Sequence, residues 1–300
     1  MAGNRIVVIG GSGFIGSNVV EEFTRESFKV IVVDRKKPTV NCKWIKCDIT
    51  KSDLSKHLRK GDFVFDFAAM ANARQVNKHP LKSTYENYIS LARVIDACVT
   101  KKVSRLIFAS SYWVSEGTIN GQEDSNFKYQ GTQNVYGNEK ISNELLIHSW
   151  AILNPFNYSI LRLGNPFGPR MWDGLVIKDF IKKIKSNKSI NINGNGKQKR
   201  QFIYVKDIAQ VCVNITKKHN HIGNQVYNIT GDNAISIINI AKLLGKSLKK
   251  EVIFDFVNAR NHDFKLKFCP NTKAKAELKL KLTPIKHAIE STVSWYDKDE

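Results

Sequence analysis

The sequence predicts an α/β fold: a doubly wound parallel sheet with a smaller α/β substrate-binding region attached. Two observations predict it. Short β-branched runs alternate with helical stretches over the first half of the chain, the order that builds a parallel sheet covered on both faces. The first of these runs leads straight into the glycine-rich turn Gly10-Gly11-Ser12-Gly13-Phe14-Ile15-Gly16, and an amphipathic helix pattern follows it.

In chain order, Arg5–Ile9 reads as a strand and Phe14–Glu26 as a helix with Ile15, Val19 and Phe23 on one face. Lys29–Val33 and Lys43–Cys47 read as the second and third strands. Thr50 with Asp53 gives a capping pattern for a short helix. Asp62–Phe67 reads as a fourth, wholly buried strand. A long helix is expected between Pro80 and Thr100, a strand at Arg105–Ala109, a helix at Asn134–Ile152 and a sixth strand at Asn157–Leu163. The turn-rich Asn165-Pro166-Phe167-Gly168-Pro169 breaks the pattern. Beyond it come a helix at Asp173–Ser186, a polar loop at Asn193–Lys199, a strand at Gln201–Val205 and a helix at Asp207–Lys217. Residues 1–164 are expected to form a dinucleotide-binding domain of the Rossmann type, with about 201–220 folded back into it. Residues 165–300 are expected to form the substrate-binding region.

Composition narrows the function classes. With 300 residues, 42% of them apolar, the chain can bury a large core. No apolar run is long enough to span a bilayer, and Ile6-Val7-Val8-Ile9 is too short for a secretory leader. A cytoplasmic protein with no membrane partner is expected. The cysteines are Cys42, Cys47, Cys98, Cys212 and Cys269, with no CxxC pair. That pattern fits reduced thiols, not a disulfide framework or a metal site. The net charge of +20 comes mostly from lysines spread along the chain. Without an arginine-rich block or interleaved aromatics, it reads as a basic surface that attracts small anions and not as a nucleic-acid footprint.

The glycine turn lies between a strand and a helix, the context a dinucleotide fingerprint requires. Gly10 permits the tight turn, Gly13 lets the backbone approach a pyrophosphate and Gly16 lets helix and strand pack closely. The phosphates then face the unpaired N–H groups at the start of the helix. Asp34, at the end of the second strand, suits both ribose hydroxyls of adenosine and favours NAD. Arg35 and Lys36 follow it, which leaves NADP open. Asp48, after the third strand, is a candidate partner for the adenine amino group, with Ile49 beside it.

A second constellation carries chemistry. Tyr136 and Lys140 stand four apart and share one helix face. Ser111 ends the fifth strand, at the edge where parallel-sheet enzymes place their reacting groups. A phenol of ordinary pKa about 10 is a poor base near neutrality; a neighbouring ammonium and a positive nicotinamide lower that value. Tyr136 is then able to take a proton from a sugar hydroxyl, with Ser111 holding the same oxygen.

These residues and their order resemble the extended short-chain dehydrogenase/reductases, within them the NAD-dependent epimerase/dehydratase family and its nucleotide-sugar 4-epimerases. GGSGFIGS resembles the family's cofactor turn, FASSYWV its serine strand end and YGNEK its Tyr-Lys pair. The resemblance implies Phe14 and Ile15 on the cofactor, Ala68 and Ala69 along the nicotinamide ribose, and Pro166 with Phe167 against the nicotinamide. For a nucleotide-diphosphate sugar it implies Asn165 and Arg200 on the diphosphate, Arg260 as a second phosphate-binding arginine, and Ser111 with Tyr112 at the sugar. Arginine suits that task because its planar fork pairs with two phosphate oxygens. It implies a homodimer or higher homo-oligomer, formed through the helix after the fifth strand and the helix carrying the Tyr-Lys pair, with Leu145, Leu146 and Ile152 as candidate contributors.

The sequence departs from the family's pattern at Val114-Ser115-Glu116-Gly117, at Gln201 in place of an aspartate, and at the bulky pair Tyr112-Trp113. Met70-Ala71-Asn72-Ala73-Arg74 lacks the lysine of the galactose epimerase, and no Thr-Asp-Glu triplet stands at the serine position. The expected function is hydride transfer at sugar C4, as a 4-epimerase or, with the same three residues, as a C4 dehydrogenase or 4-ketoreductase. A non-catalytic NAD-sensing protein on the same fold is the reading from a different class.

Overall fold

Runs such as Ile6-Val7-Val8-Ile9 and Val30-Ile31-Val32-Val33 are buried along their whole length, as strands inside a two-sided sheet must be. The computed structural model describes residues 5–117, 132, 134–259 and 267–298. Its first half runs β1 (Ile6–Ile9), α1 (Phe14–Arg25), β2 (Val30–Asp34), β3 (Lys43–Lys46) and β4 (Phe63–Asp66). Then come α2 (Ala73–Lys78), α3 (Pro80–Thr84), a wide π turn (Tyr85–Ile89), α4 (Ser90–Lys101), β5 (Arg105–Ser111), α5 (Val135–Leu153) and β6 (Tyr158–Leu163). The second half runs β7 (Asn165–Phe167), α6 (Val176–Lys185), β8 (Ile190–Asn193), β9 (Lys199–Tyr204), α7 (Val205–Lys218) and β10 (Gln225–Ile229). It closes with β11 (Ala234–Ser236), α8 (Ile237–Leu248), β12 (Phe254–Val257), α9 (Thr272–Leu278) and α10 (Ile285–Lys298).

Seven strands form one parallel sheet in the order β10-β6-β5-β4-β1-β2-β3. The doubly wound α/β architecture is therefore as expected. One face packs Val8, Val32, Phe63 and Phe65 against Val19, Val20 and Phe23 of α1 and Ile208, Val211 and Ile215 of α7. The other packs Val7, Val33 and Val64 against Leu91, Val94 and Ile95 of α4 and Ile147 of α5. Each such side chain contributes about 1.5–3 kcal/mol of burial. A third cluster joins α6, α8 and α10 through Phe180, Ile181, Ile184, Ile240, Leu244 and Ile289. It rests on a sheet of β11-β9-β7 and a pair β12-β8.

The chain turns in opposite directions on either side of β1, whose neighbours are β2 and β4. The crevice at such a reversal is where open α/β sheets hold ligands. Several local expectations are corrected. The strand expected at 201–205 is β9 and lies in the small sheet, while the helix after it, α7, does pack on α1. The short helix is a 3-10 turn, Leu54–His57, capped by Asp53 alone; Thr50 instead donates to Asp48 Oδ1 at 2.7 Å. The helix expected from Asp173 starts at Val176, because Gly174 sits at φ +95°, outside helical geometry.

Candidate active site

The glycine turn is built from close backbone approaches. Gly10 has φ +73°, and a Cβ there would lie 2.7 Å from the Ala68 nitrogen at the end of β4. A Cβ on Gly16 would collide with the Gly10 carbonyl oxygen, so the first turn of α1 sits directly on the loop. Asp34 closes the other side: its carboxylate accepts from the Ser12 amide at 3.0 Å and the Lys36 amide at 2.9 Å. Beside this turn lies a cavity of about 180 Å³ lined by Gly10, Gly13, Asp34, Arg35, Asp48, Ile49, Ala68 and Ala69 among others. The Asp48 carboxyl accepts from the Thr50 amide and hydroxyl, which hold it below the usual carboxylate range.

A larger cavity of about 740 Å³ opens on the other side of Gly10, Gly13, Ala68 and Ala69, which line both. Its wall includes Phe14, Ile15, Gly16, Ser111, Tyr112, Tyr136, Lys140, Asn165, Pro166 and Arg200. The catalytic, cofactor and substrate residues singled out from the sequence thus line one of the two cavities, except Lys36 and the buried Phe167, which line neither, and Arg260, which lies outside the described residues. The glycine cradle, the open amides at the start of α1 and the carboxylate at the end of β2 fit a dinucleotide lying across the turn.

Tyr136 enters the large cavity from the first turn of α5, whose N-cap, Asn134, accepts from the Gly137 amide at 2.6 Å. Tyr136 shares a hydrogen bond with Ser111, and burial still pushes its phenol up to about 12. Lys140, one turn on, donates to the Ala109 carbonyl oxygen at 2.8 Å and sits 4.7 Å from the Phe108 ring centre. Its nitrogen is 6.0 Å from the Tyr136 ring centre. Burial pulls the Lys140 ammonium down to about 8, against the attraction of Asp66, Glu139 and Glu144. Burial likewise raises Asp66 at the end of β4 to about 6, although the Ala68 amide donates to it at 3.0 Å. Tyr112 is fully buried and donates to Asn165 Oδ1 at 2.8 Å. Trp113 packs edge-on against the Tyr136 ring at 5.8 Å.

Two buried carboxylates behind this pair have no counterpart in the sequence reading. Glu144 takes both arms of Arg162, with the closest pair at 2.7 Å, and also accepts from Ser110, next to Ser111. The signal available was Arg162 itself, a charge inside the otherwise apolar strand Tyr158–Leu163, which requires a partner. Glu139, between Tyr136 and Lys140, accepts from Ser83, Thr84 and Asn87. In the sequence it reads as one of many exposed helix acids.

A model of the NAD-dependent epimerase/dehydratase family matches residues 6–230. The chain belongs to this family. It is therefore an NAD-dependent enzyme of the extended short-chain dehydrogenase/reductase type. Among curated relatives, dTDP-D-glucose 4,6-dehydratase of Mus musculus is 26% identical over 98% of this chain and 89% of its own length. Among solved structures, UDP-N-acetylglucosamine 4-epimerase of Methanobrevibacter ruminantium, in complex with UDP-N-acetylmuramic acid, is 26% identical with a TM-score of 0.90 over 100% of both chains. UDP-glucuronic acid 4-epimerase of Bacillus cereus, in complex with UDP-glucuronic acid and NAD, is 25% identical with a TM-score of 0.89, covering 99% of this chain and 100% of that one.

Proposed function

We propose that this enzyme is a nucleotide-sugar 4-epimerase, with Ser111, Tyr136 and Lys140 acting at the sugar C4 hydroxyl. The observation that carries the reading is the shared cavity. Tyr136 and Ser111 line the same 740 Å³ space as Asn165 and Arg200, which suit a diphosphate, and as the glycine turn. The glycine turn and Asp34 would hold NAD, which would supply reversible hydride acceptance. Tyr136 Oη takes the hydroxyl proton as the ketone forms and gives it back afterwards; Ser111 Oγ hydrogen-bonds the same oxygen. Lys140, fixed on the Ala109 carbonyl, favours the phenolate electrostatically.

The 4,6-dehydratase relatives suggest another outcome, but elimination of water needs acidic groups beside the base. The positions after Ser111 hold Tyr112 and Trp113, and among the described residues the carboxylates lining the cavity are Asp66 and Asp179. Asp66 is buried at the end of β4 beside Lys140. That environment supports epimerisation over dehydration.

The test is a panel of UDP-, GDP- and dTDP-sugars, following NADH and epimerised sugar separately. Tightly held NAD with an epimerised sugar and no net NADH supports the reading. Accumulating NADH or a ketosugar assigns a C4 dehydrogenase or 4-ketoreductase instead, and NAD binding without turnover assigns a sensor.

A homodimer belongs to the same proposal. Among the described residues the first α-helix after β5 is α5, the Tyr-Lys helix itself, so the second helix of the proposed interface is sought elsewhere. Leu81 is 86% exposed, Tyr85 52% and Ile89 37%, in a row four residues apart along 80–101. Leu145 and Ile152 of α5 are also exposed, whereas Leu146 packs into the core. Leu81→Glu with Tyr85→Glu should yield a monomer by light scattering; an unchanged dimer rejects this face. We assign residues 1–164 together with α7 and β10 to the cofactor-binding domain. None of Cys42, Cys47, Cys98, Cys212 and Cys269 forms a disulfide, which suits a cytoplasmic setting. Among the described residues, no helix is long and apolar enough to cross a membrane.

A further inference from the structure

Glu139 stands on the catalytic helix between Tyr136 and Lys140, yet unlike them it does not line the large cavity. It is buried, and the groups that satisfy it are neutral. Oε1 accepts from Ser83 Oγ at 2.6 Å and Thr84 Oγ1 at 3.2 Å; Oε2 accepts from Asn87 Nδ2 at 2.8 Å. Among the described residues no lysine or arginine forms a salt bridge with it. A carboxylate in such a place is costly unless each lone-pair direction is filled, so its geometry is tightly determined.

The donors matter for where they lie. Ser83 and Thr84 close α3, and Asn87 is in the middle of the π turn Tyr85–Ile89. Wide turns of this kind recur at functional sites because they re-aim side chains within a helix. Asn87 passes the connection on: its Oδ1 accepts from the Met70 amide at 2.7 Å, and its Nδ2 also approaches the Met70 carbonyl oxygen at 3.3 Å. Met70 directly follows Ala68 and Ala69, which line both cavities, and Gly10 packs against Ala68. An unbroken relay thus runs from α5 through the π turn to the loop after β4.

We propose that Glu139 is a positioning residue that fixes the Tyr136–Lys140 helix against the 68–70 loop, so that the reacting pair and the cofactor cavity keep one spacing. The inference rests on the site assignment above but not on which sugar reaction the enzyme performs. A fixed negative charge here also acts on its neighbours: Glu139 raises the proton affinity of both Tyr136 and Lys140. The other charged groups acting on this pair are Asp66 from β4 and Glu144 from α5 itself.

The test separates geometry from charge in full-length protein, with NAD as the probe. Glu139→Gln keeps an acceptor for Asn87 and removes the charge. Its NAD affinity should stay within about twofold of wild type, and its Tyr136 phenolate absorbance, taken as the difference from Tyr136→Phe, should titrate at lower pH. Glu139→Ala cuts the relay, and NAD affinity should fall about tenfold while thermal unfolding remains cooperative. Asn87→Ala cuts the same relay one link further on and should reproduce that loss, which keeps the test sound if Glu139→Ala does not fold. Wild-type NAD affinity in either alanine variant overturns the proposal, as does an unshifted phenolate titration in Glu139→Gln. Neither readout requires turnover, so a failed sugar panel with these results intact would reject the epimerase reading alone.

Discussion

Replacing Glu144 by glutamine removes one charge from a pair that has no access to water. The Arg162 guanidinium and the Glu144 carboxylate are 2% and 0% exposed, and their closest atoms are 2.7 Å apart. At an effective dielectric of about 20 the attraction at that distance is about 6 kcal/mol. Part of it returns as relaxation and as the amide's remaining hydrogen bonds. The expected loss is therefore about 3–5 kcal/mol, the usual cost of leaving one buried charge uncompensated. Against a total stability of about 5–15 kcal/mol this is a large fraction. With a urea slope of about 3 kcal/mol per molar, the midpoint should fall by about 1–1.7 M. The double variant Glu144→Gln with Arg162→Met removes both charges and should recover most of the loss, giving a coupling energy of at least about 2 kcal/mol in a double-mutant cycle. Urea unfolding followed by circular dichroism measures all four proteins. A loss below about 1 kcal/mol in Glu144→Gln, or additive single and double variants, would refute the argument that the pair is mutually dependent. The consequence reaches the active site through Ser110, which Glu144 holds one residue from Ser111.

Tyr136→Phe should lower turnover by about two to four orders of magnitude while leaving NAD binding within a few fold; near wild-type turnover would refute the assigned base. Gly16→Ala forces a methyl onto the Gly10 carbonyl oxygen and should abolish NAD binding in a folded protein, as read by calorimetry and circular dichroism. The pH dependence of stability should carry the signature of Lys140. Its folded pKa of about 8 lies below the ordinary value of 10.5, so between these values the unfolded chain binds more protons. Wild type should accordingly gain stability as pH rises from 8 toward 10, whereas Lys140→Met should lack that gain. Parallel slopes in the two proteins would reject the burial of a charged Lys140.

What the sequence revealed and what it hid divide by range. The glycine turn, Ser111 at a strand end and the Tyr136–Lys140 pair are local patterns whose spacing alone places them on a turn, an edge and one helix face. Asn165 and Arg200 needed a family resemblance, since a lone polar residue in a loop or an arginine in a strand carries no address. Glu139 and Glu144 look like ordinary helix acids; only the packing of α5 against the π turn and β6 makes them interior charges. β10 was missed as the edge strand of the main sheet because Gln225–Ile229 is short, and its partner, β6, is far away in sequence. The Thr50 cap failed because Asp48 captured the threonine first.

The order of the sheet has a consequence for engineering. The chain leaves the main sheet after Leu163, builds the small lobe through β7, α6, β8 and β9, and then returns with α7 and β10. A fragment ending at Gly164 would lose α7 from the face of α1 and expose β6 as a bare edge, an invitation to aggregation. A portable NAD-binding module would have to be spliced instead, joining residues 5–163 to 205–229 across the excised lobe. The small lobe is completed only after β10, by β11, α8, β12 and α10, so exchanging sugar specificity there means replacing both of its segments while the nucleotide cradle stays in place.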